Sequence, residues 1–79
     1  AFHSYFMHVP GLRVVALTTP HDAKGCLTTA IRDDNPVLIV EHRMLHGIRG
    51  IVPTDSYEVP YGHARTLTSG DDVTLVGIS

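Results

Sequence analysis

A strand, a helix and a second strand follow one another in the first half of the chain, and this order constrains the fold more than any other feature. Residues 12–17 (LRVVAL) form a β-branched run after the breaker pair Pro10-Gly11, which predicts a strand. Val37–Val40 is a continuous apolar run, typical of a strand that is covered on both faces. Because parallel strands need a long crossover, the sequence predicts one parallel βαβ unit with a right-handed connection.

The segment between the two strands carries the start and stop signals of a helix. Thr19 is a suitable N-cap, Pro20 fits the first helical position, and Asn35-Pro36 ends the segment because a residue before proline avoids the helical region. We predict a helix from about Pro20 to Arg32, in which Gly25 costs about 1 kcal/mol relative to alanine unless something packs close against it. A stripe of apolar residues should face the strands, namely Ala23, Cys26, Leu27, Ala30 and Ile31.

The second half of the chain has no helical period. Residues 51–62 contain Pro53 and Pro60, which predicts an extended linker. Residues 64–68 and 73–78 read as strands on either side of a Ser-Gly-Asp-Asp turn, which predicts a hairpin. The expected organisation is therefore the end of one domain, a linker and the first strands of another domain.

The size of the chain indicates that it is part of something larger. A chain of 79 residues buries only about 60–65% of the surface that it exposes when unfolded. Its single cysteine, Cys26, excludes a disulfide within the chain and fits a reducing setting. One helix covers only one face of a sheet, so the other face needs layers that this sequence does not contain.

Charge and hydropathy argue against two classes of partner. The net charge is −2 and the six basic residues are spread along the chain, so a nucleic-acid-binding surface is not expected. No apolar run approaches the ~20 residues that a membrane-spanning helix needs. We therefore expect neither a nucleic acid nor a membrane as a partner.

Five motifs, in register along the chain, resemble one enzyme family. They are His8-Val9-Pro10-Gly11-Leu12-Arg13-Val14-Val15, Pro20-His21-Asp22-Ala23-Lys24-Gly25, Ala30-Ile31-Arg32-Asp33-Asp34-Asn35-Pro36-Val37, Val40-Glu41-His42 and Val59-Pro60-Tyr61-Gly62-His63-Ala64. In this order and at this spacing they resemble the beta subunit of the decarboxylating first component of pyruvate and branched-chain 2-oxoacid dehydrogenases. The resemblance covers essentially the whole chain, and transketolases are more distant relatives.

The resemblance implies an α/β fold: a parallel βαβ unit from the end of a transketolase-like pyrimidine-binding domain, then a linker and the first strands of a C-terminal domain. The corresponding segments are residues 1–50, 51–62 and 63–79. The chain would then be an internal piece of a longer subunit, and inactive by itself.

The function that the resemblance implies is the oxidative decarboxylation of a 2-oxoacid, with transfer of the acyl group to a lipoyl group. Its cofactors would be thiamine diphosphate and magnesium. The implied partners are the alpha subunit of the same component and a lipoyl-bearing acyltransferase core. The implied location is the bacterial cytoplasm or the mitochondrial matrix.

The resemblance assigns no catalytic or cofactor-binding residue to this segment, but it implies a potassium site. The implied ligands are the carbonyl oxygens of Thr28 and Ile31 and the side chains of Asp33 and Asn35. The last carbonyls of a helix are unpaired and lie at the negative end of its dipole, and hard oxygens suit such a cation. The alternative is that Asp33 and Asn35 only cap the helix end and shape a turn.

Two other functions compete with the dehydrogenase hypothesis. One is another transketolase-type thiamine enzyme, against which the motifs at residues 22–25 and 30–36 argue. The other is a small non-catalytic module that binds a metal through its histidines. His42 and His46 have the i, i+4 spacing of zinc sites, but no cysteine or acidic cluster supplies further ligands at a recognisable spacing. Solvated loop histidines are the simpler interpretation of this pair.

Overall fold

The computed structural model describes residues 2–78, and its first half forms the βαβ unit. Ala1 and Ser79, at the outer ends of the first and last predicted segments, lie outside the described residues. In chain order the elements are a 3₁₀ helix at Phe2–Tyr5, strand β1 at Arg13–Ala16, helix α1 at Pro20–Arg32, strand β2 at Val37–Val40 and a second 3₁₀ helix at Arg43–Gly47.

The two strands pair in parallel, as predicted. Arg13 lies opposite Val37, and Ala16 lies opposite Val40. Because α1 connects the strands, the predicted α/β unit is confirmed. No helix among residues 2–78 is both long and apolar enough to cross a bilayer.

Helix α1 begins and ends where its local signals place it. Thr19 has an extended backbone (φ −118°, ψ 154°), and its hydroxyl oxygen accepts the N–H of Asp22 at 3.2 Å. Asp22 lies in the first turn, at the positive end of the helix dipole, and Arg32 lies in the last turn, at the negative end, so both charges interact favourably with the dipole. At the other end, the N–H of Asp33 donates to the carbonyl of Ala30 at 3.2 Å.

The apolar stripe of α1 is only partly covered. Cys26 is buried, with 7% of its surface exposed, but Leu27 is 48% exposed and Ile31 is 77% exposed. The prediction that Leu27 and Ile31 face the strands is therefore wrong. Each helical residue advances by about 100°, so these two side chains point well to one side of Cys26 and Ala30, beyond the reach of a two-stranded sheet.

The predicted hairpin in the second half is also wrong for this structure. Residues 63–78 contain no strand, and Leu67, Leu75 and Val76 are 79%, 90% and 81% exposed. An isolated two-stranded hairpin is marginal in water, because nothing covers its apolar face. The alternating pattern of this segment needs a neighbouring layer that residues 2–78 do not supply.

The predicted linker folds back onto α1. The N–H of Val59 donates to the carbonyl of Gly25 at 3.2 Å, and Gly25 is buried. A Cβ at this position would overlap the side chain of Val59 and come within 2.8 Å of the ring of Tyr57. A glycine inside the helix is thus explained by the close approach of another segment.

Candidate functional site

The four residues of the implied potassium site lie at the C-terminal end of α1. Thr28 and Ile31 belong to its last turns, Asp33 is the C-cap, and Asn35 follows two residues later. The side chains of Asp33 and Asn35 are in contact: Oδ1 of Asp33 accepts the backbone N–H of Asn35 at 2.9 Å and its side-chain amide at 3.0 Å. The hydroxyl of Thr28 donates to the carbonyl of Lys24 at 2.8 Å, so this side chain serves the helix itself.

The second carboxylate oxygen of Asp33 binds Arg13. Nε of Arg13 lies 2.8 Å from Oδ2 of Asp33, whose side chain is only 14% exposed. The hydrogen bonds from Asn35 and, less strongly, the charge of Arg13 hold the pKa of Asp33 below its ordinary value. Sequence reasoning missed Arg13, because an ion pair between β1 and the end of α1 leaves no pattern in residue spacing.

A cavity of about 230 Å³ lies at the carboxyl ends of both strands. Leu17 lines it after β1, Glu41 and His42 line it after β2, and Thr19 lines it at the N-terminus of α1. Ligands of open α/β sheets bind at this edge. The cavity is therefore the place where groups from several elements of this unit converge.

The two histidines of this edge make separate contacts. Nδ1 of His42 accepts the N–H of Met44 at 3.2 Å and so caps the second 3₁₀ helix, whereas Nε2 of His46 lies 3.2 Å from a carboxylate oxygen of Glu41. In a 3₁₀ helix residues i and i+3 eclipse, so the i, i+4 spacing does not bring two imidazoles onto one face. Residues 2–78 contain no group of three histidine, cysteine or acidic side chains that could hold a metal ion.

Comparison with known proteins identifies the domain to which this unit belongs. The family model described as transketolase, pyrimidine binding domain, matches residues 1–49. The chain belongs to this family. All four positions of the implied potassium site and every residue that lines the carboxyl-edge cavity fall within the pyrimidine-binding domain match. The segment that folds back onto α1 lies outside it.

Several curated relatives of the chain are named as beta subunits of oxidoreductases. The beta subunit of acetoin:2,6-dichlorophenolindophenol oxidoreductase from Cupriavidus necator is 48% identical over 90% of this chain and 21% of its own length. The pyruvate dehydrogenase E1 component subunit beta of Porphyra purpurea is 42% identical over 96% of this chain and 23% of its own. The 2-oxoisovalerate dehydrogenase subunit beta of Bacillus subtilis is 46% identical over 90% of this chain and 22% of its own length.

The chain thus spans about a fifth of the length of these curated relatives. No solved structure matches it significantly.

Proposed function

We propose that this chain is part of the beta subunit of the thiamine-diphosphate-dependent first component of a 2-oxoacid dehydrogenase. The observation that carries the proposal is the extent of the identity. Beta subunits named for pyruvate and for 2-oxoisovalerate align with 96% and 90% of the chain, rather than with one motif. The proposed reaction is oxidative decarboxylation of a 2-oxoacid with acyl transfer to a lipoyl group.

The partners that follow from this proposal are an alpha subunit and a lipoyl-bearing acyltransferase core. The proposed location is the bacterial cytoplasm or the mitochondrial matrix. Relatives named as pyruvate dehydrogenase E1 component subunit beta occur in Rickettsia felis and in Porphyra purpurea.

The described residues do not by themselves form a site for thiamine diphosphate and magnesium. A diphosphate-bound magnesium ion takes oxygen ligands, including one or two carboxylates. Glu41 is the one carboxylate at the carboxyl-edge cavity among residues 2–78, and it already contacts His46. We therefore propose that other parts of the enzyme hold the cofactor, and we assign no catalytic step to this segment.

The dehydrogenase proposal predicts a substrate and cofactor dependence for the complete enzyme. The full-length subunit that contains this chain, purified with its alpha subunit, should release carbon dioxide from pyruvate or 2-oxoisovalerate. Turnover should require thiamine diphosphate, magnesium and both subunits, with 2,6-dichlorophenolindophenol as the electron acceptor. Ketol transfer between sugar phosphates would instead favour a transketolase-type enzyme. Absence of turnover with every 2-oxoacid would contradict the proposal.

Acetoin is a second candidate substrate, because the relative from Cupriavidus necator is named for it. Acetoin carries no carboxylate, so its oxidative cleavage would reduce the acceptor without release of carbon dioxide. The same assay with acetoin in place of the 2-oxoacid separates the two candidates by comparing acceptor reduced with carbon dioxide released.

We also propose a potassium ion at the C-terminal end of α1, held by the carbonyls of Thr28 and Ile31 and the side chains of Asp33 and Asn35. Two features support it. Helix α1 ends at Arg32, so the carbonyl of Ile31 is among its last four, which lie at the negative end of the dipole, and the carbonyl of Thr28 is one residue before them. The carboxylate of Asp33 is charged at neutral pH, since its pKa lies below the already acidic ordinary value of an aspartate. The contacts of Asp33 with Arg13 and Asn35 support the alternative capping role, so a direct test is needed.

The potassium site predicts a specific dependence of stability on the cation. Potassium at ten times its dissociation constant should add about 1.4 kcal/mol to the free energy of unfolding by mass action. Thermal unfolding of the full-length protein would be compared in potassium, sodium and choline chloride at equal ionic strength. Asp33→Ala should abolish the difference between salts.

Asp34→Ala is the matched control for this test. It removes the same charge one residue away, from an exposed side chain that makes no hydrogen bond or ion pair within residues 2–78. This variant should keep the potassium effect. Equal stabilisation of the wild type by all three salts would leave Asp33 and Asn35 with the capping role alone.

A further inference from the structure

Residues 53–61, which we call the strap, lie along one face of α1. Their main chain is bound to the helix at Val59, whose N–H donates to the carbonyl of Gly25 at 3.2 Å and whose carbonyl accepts the hydroxyl of Thr29 at 2.8 Å. Both backbone groups of one strap residue are therefore satisfied by the helix. Such pairing requires Val59 to lie at one fixed position along the axis of α1, beside Gly25 and Thr29.

Lys24 binds the first part of the strap. Its ammonium group donates to the carbonyls of Pro53 and of Asp55, the latter at 2.7 Å, and it lies 5.1 Å from the centre of the Tyr57 ring. A charged donor shared by two carbonyls forms stronger hydrogen bonds than a neutral one. This contact fixes the place where the strap reaches the helix.

Arg32, two turns further along the helix, binds the middle of the strap. Nη1 of Arg32 lies 2.7 Å from a carboxylate oxygen of Glu58, and Nη2 donates to the hydroxyl of Ser56 at 3.3 Å. Both side chains of the ion pair are about half exposed, at 57% and 45%, so its contribution to stability is small. The ion pair instead positions the strap, because it holds Ser56 and Glu58 near the C-terminal end of α1.

Two tyrosines of the strap use carbonyl oxygens of α1. The hydroxyl of Tyr57 donates to the carbonyl of His21 at 2.7 Å, and its ring stacks on the imidazole of His21 with 4.8 Å between centres. The hydroxyl of Tyr61 donates to the carbonyl of Cys26 at 3.0 Å. Burial is the main cause that raises the pKa of both phenols. A tyrosine phenol is already a protonated donor at neutral pH, and this shift acts in the same direction.

The helix residues that bind the strap at residues 53–59 follow one another at intervals of three or four positions, apart from the adjacent pair Lys24 and Gly25. They are His21, Lys24, Gly25, Thr29 and Arg32, whereas Tyr61 of the strap binds the carbonyl of Cys26. This spacing places them on one face of the helix, next to the face that carries Cys26. Attachments occur at the beginning, middle and end of the strap, and no more than one residue lies between successive strap residues that contact the helix.

We propose that the strap is a conformational clamp built into the fold. Residues 53–61 keep one path over α1 instead of acting as a flexible linker. The chain that follows Gly62 is thereby held in one orientation relative to the βαβ unit. This inference stands on the contacts of the strap and does not depend on the proposed dehydrogenase function.

The clamp can be tested with two neighbouring threonines in the full-length protein. The hydroxyl of Thr28 donates only to the carbonyl of Lys24, one turn back in α1. The single hydroxyl proton of Thr29 is shared between the carbonyl of Gly25, one turn back, and the carbonyl of Val59 in the strap. Thr29→Val should therefore loosen the strap, and Thr28→Val should not. Tyr57→Phe, which leaves the helix sequence unchanged, removes one strap hydrogen bond and should have the same effect as Thr29→Val.

Two measurements report the state of the strap. One is hydrogen exchange at the amide of Val59. The other is the rate at which a thiol reagent modifies Cys26, followed on the peptide that contains it. Cys26 is 7% exposed, and it lies beside Val59 and Tyr61. Loss of one hydrogen bond of about 1 kcal/mol should raise both rates about fivefold in Thr29→Val and Tyr57→Phe.

The clamp is refuted if the Val59 amide of the wild type exchanges as fast as an unstructured peptide. It is equally refuted if Thr28→Val and Thr29→Val raise both rates by the same factor while the amides of α1 stay protected. If the amides of α1 lose their protection from hydrogen exchange in Thr29→Val, the variant has unfolded the helix rather than loosened the strap. The test then rests on Tyr57→Phe. Unchanged rates in Tyr57→Phe would count against the clamp.

Discussion

Replacing Gly25 by alanine is expected to push the strap away from α1. The added methyl group would overlap Cγ2 of Val59 and lie 2.8 Å from Cε2 of Tyr57 and 3.0 Å from Cβ of Val59. A Cβ atom moves only with its backbone, and that backbone is hydrogen-bonded to Gly25 itself. Overpacking costs about 1–3 kcal/mol, whereas alanine favours the helix by about 1 kcal/mol. The net loss in the free energy of unfolding should reach about 2 kcal/mol.

Urea unfolding of the full-length protein measures this loss, and thiol modification of Cys26 shows whether the strap has moved. Gly47→Ala is the matched control, because a Cβ at Gly47 meets no atom within 4 Å and the backbone there is not left-handed. It should change stability by only a few tenths of a kcal/mol. Stabilisation of Gly25→Ala by the full helix-propensity gain would show that Val59 and Tyr57 do not pack against this position.

Replacing Lys24 by glutamate is expected to detach the first part of the strap. The ammonium group donates to the carbonyls of Pro53 and Asp55, and a carboxylate in its place would face two acceptors with no proton to share. Each hydrogen bond to a charged group contributes about 1.5–3 kcal/mol, and exposure to solvent reduces that value. A loss of about 2 kcal/mol in the free energy of unfolding is the expected result.

Arg49→Glu provides the matched charge reversal for Lys24→Glu. Arg49 is exposed and makes no hydrogen bond or ion pair within residues 2–78, so its reversal should have little effect on stability. Cleavage by a protease within residues 53–61 would report detachment directly. Equal cleavage rates and equal stabilities for the two reversals would contradict the role of Lys24.

Local signals in the sequence were sufficient for the boundaries of the βαβ unit. Thr19 and Pro20 start α1, and Asn35-Pro36 follows its end, because capping and proline sterics act within one turn of the chain. The apolar run at Val37–Val40 became β2 at its predicted bounds. The motifs that resemble the beta subunits are local too, and the family match over residues 1–49 confirmed the transketolase-like pyrimidine-binding domain that this resemblance implied.

The candidate potassium site was only half accessible to sequence reasoning. Asp33 and Asn35 are two residues apart, so their contact at the helix end could be expected from their spacing. The ion pair of Asp33 with Arg13 could not, because it joins a strand to a helix cap through the fold. That ion pair bears directly on whether the carboxylate is free to bind a cation.

Local patterns of the sequence determined the elements of the βαβ unit and their order, and the further layer over the sheet stays a prediction. Tertiary structure alone decided which face of α1 is covered. Leu27 and Ile31 match the helical period of Cys26 yet stay exposed, because a two-stranded sheet is too narrow to reach them. The tertiary structure also placed residues 53–61 on α1 rather than in solvent. Periodicity reports only neighbours within a few residues, whereas the contact of Gly25 with Val59 joins residues far apart in the chain and exists only once both segments have folded.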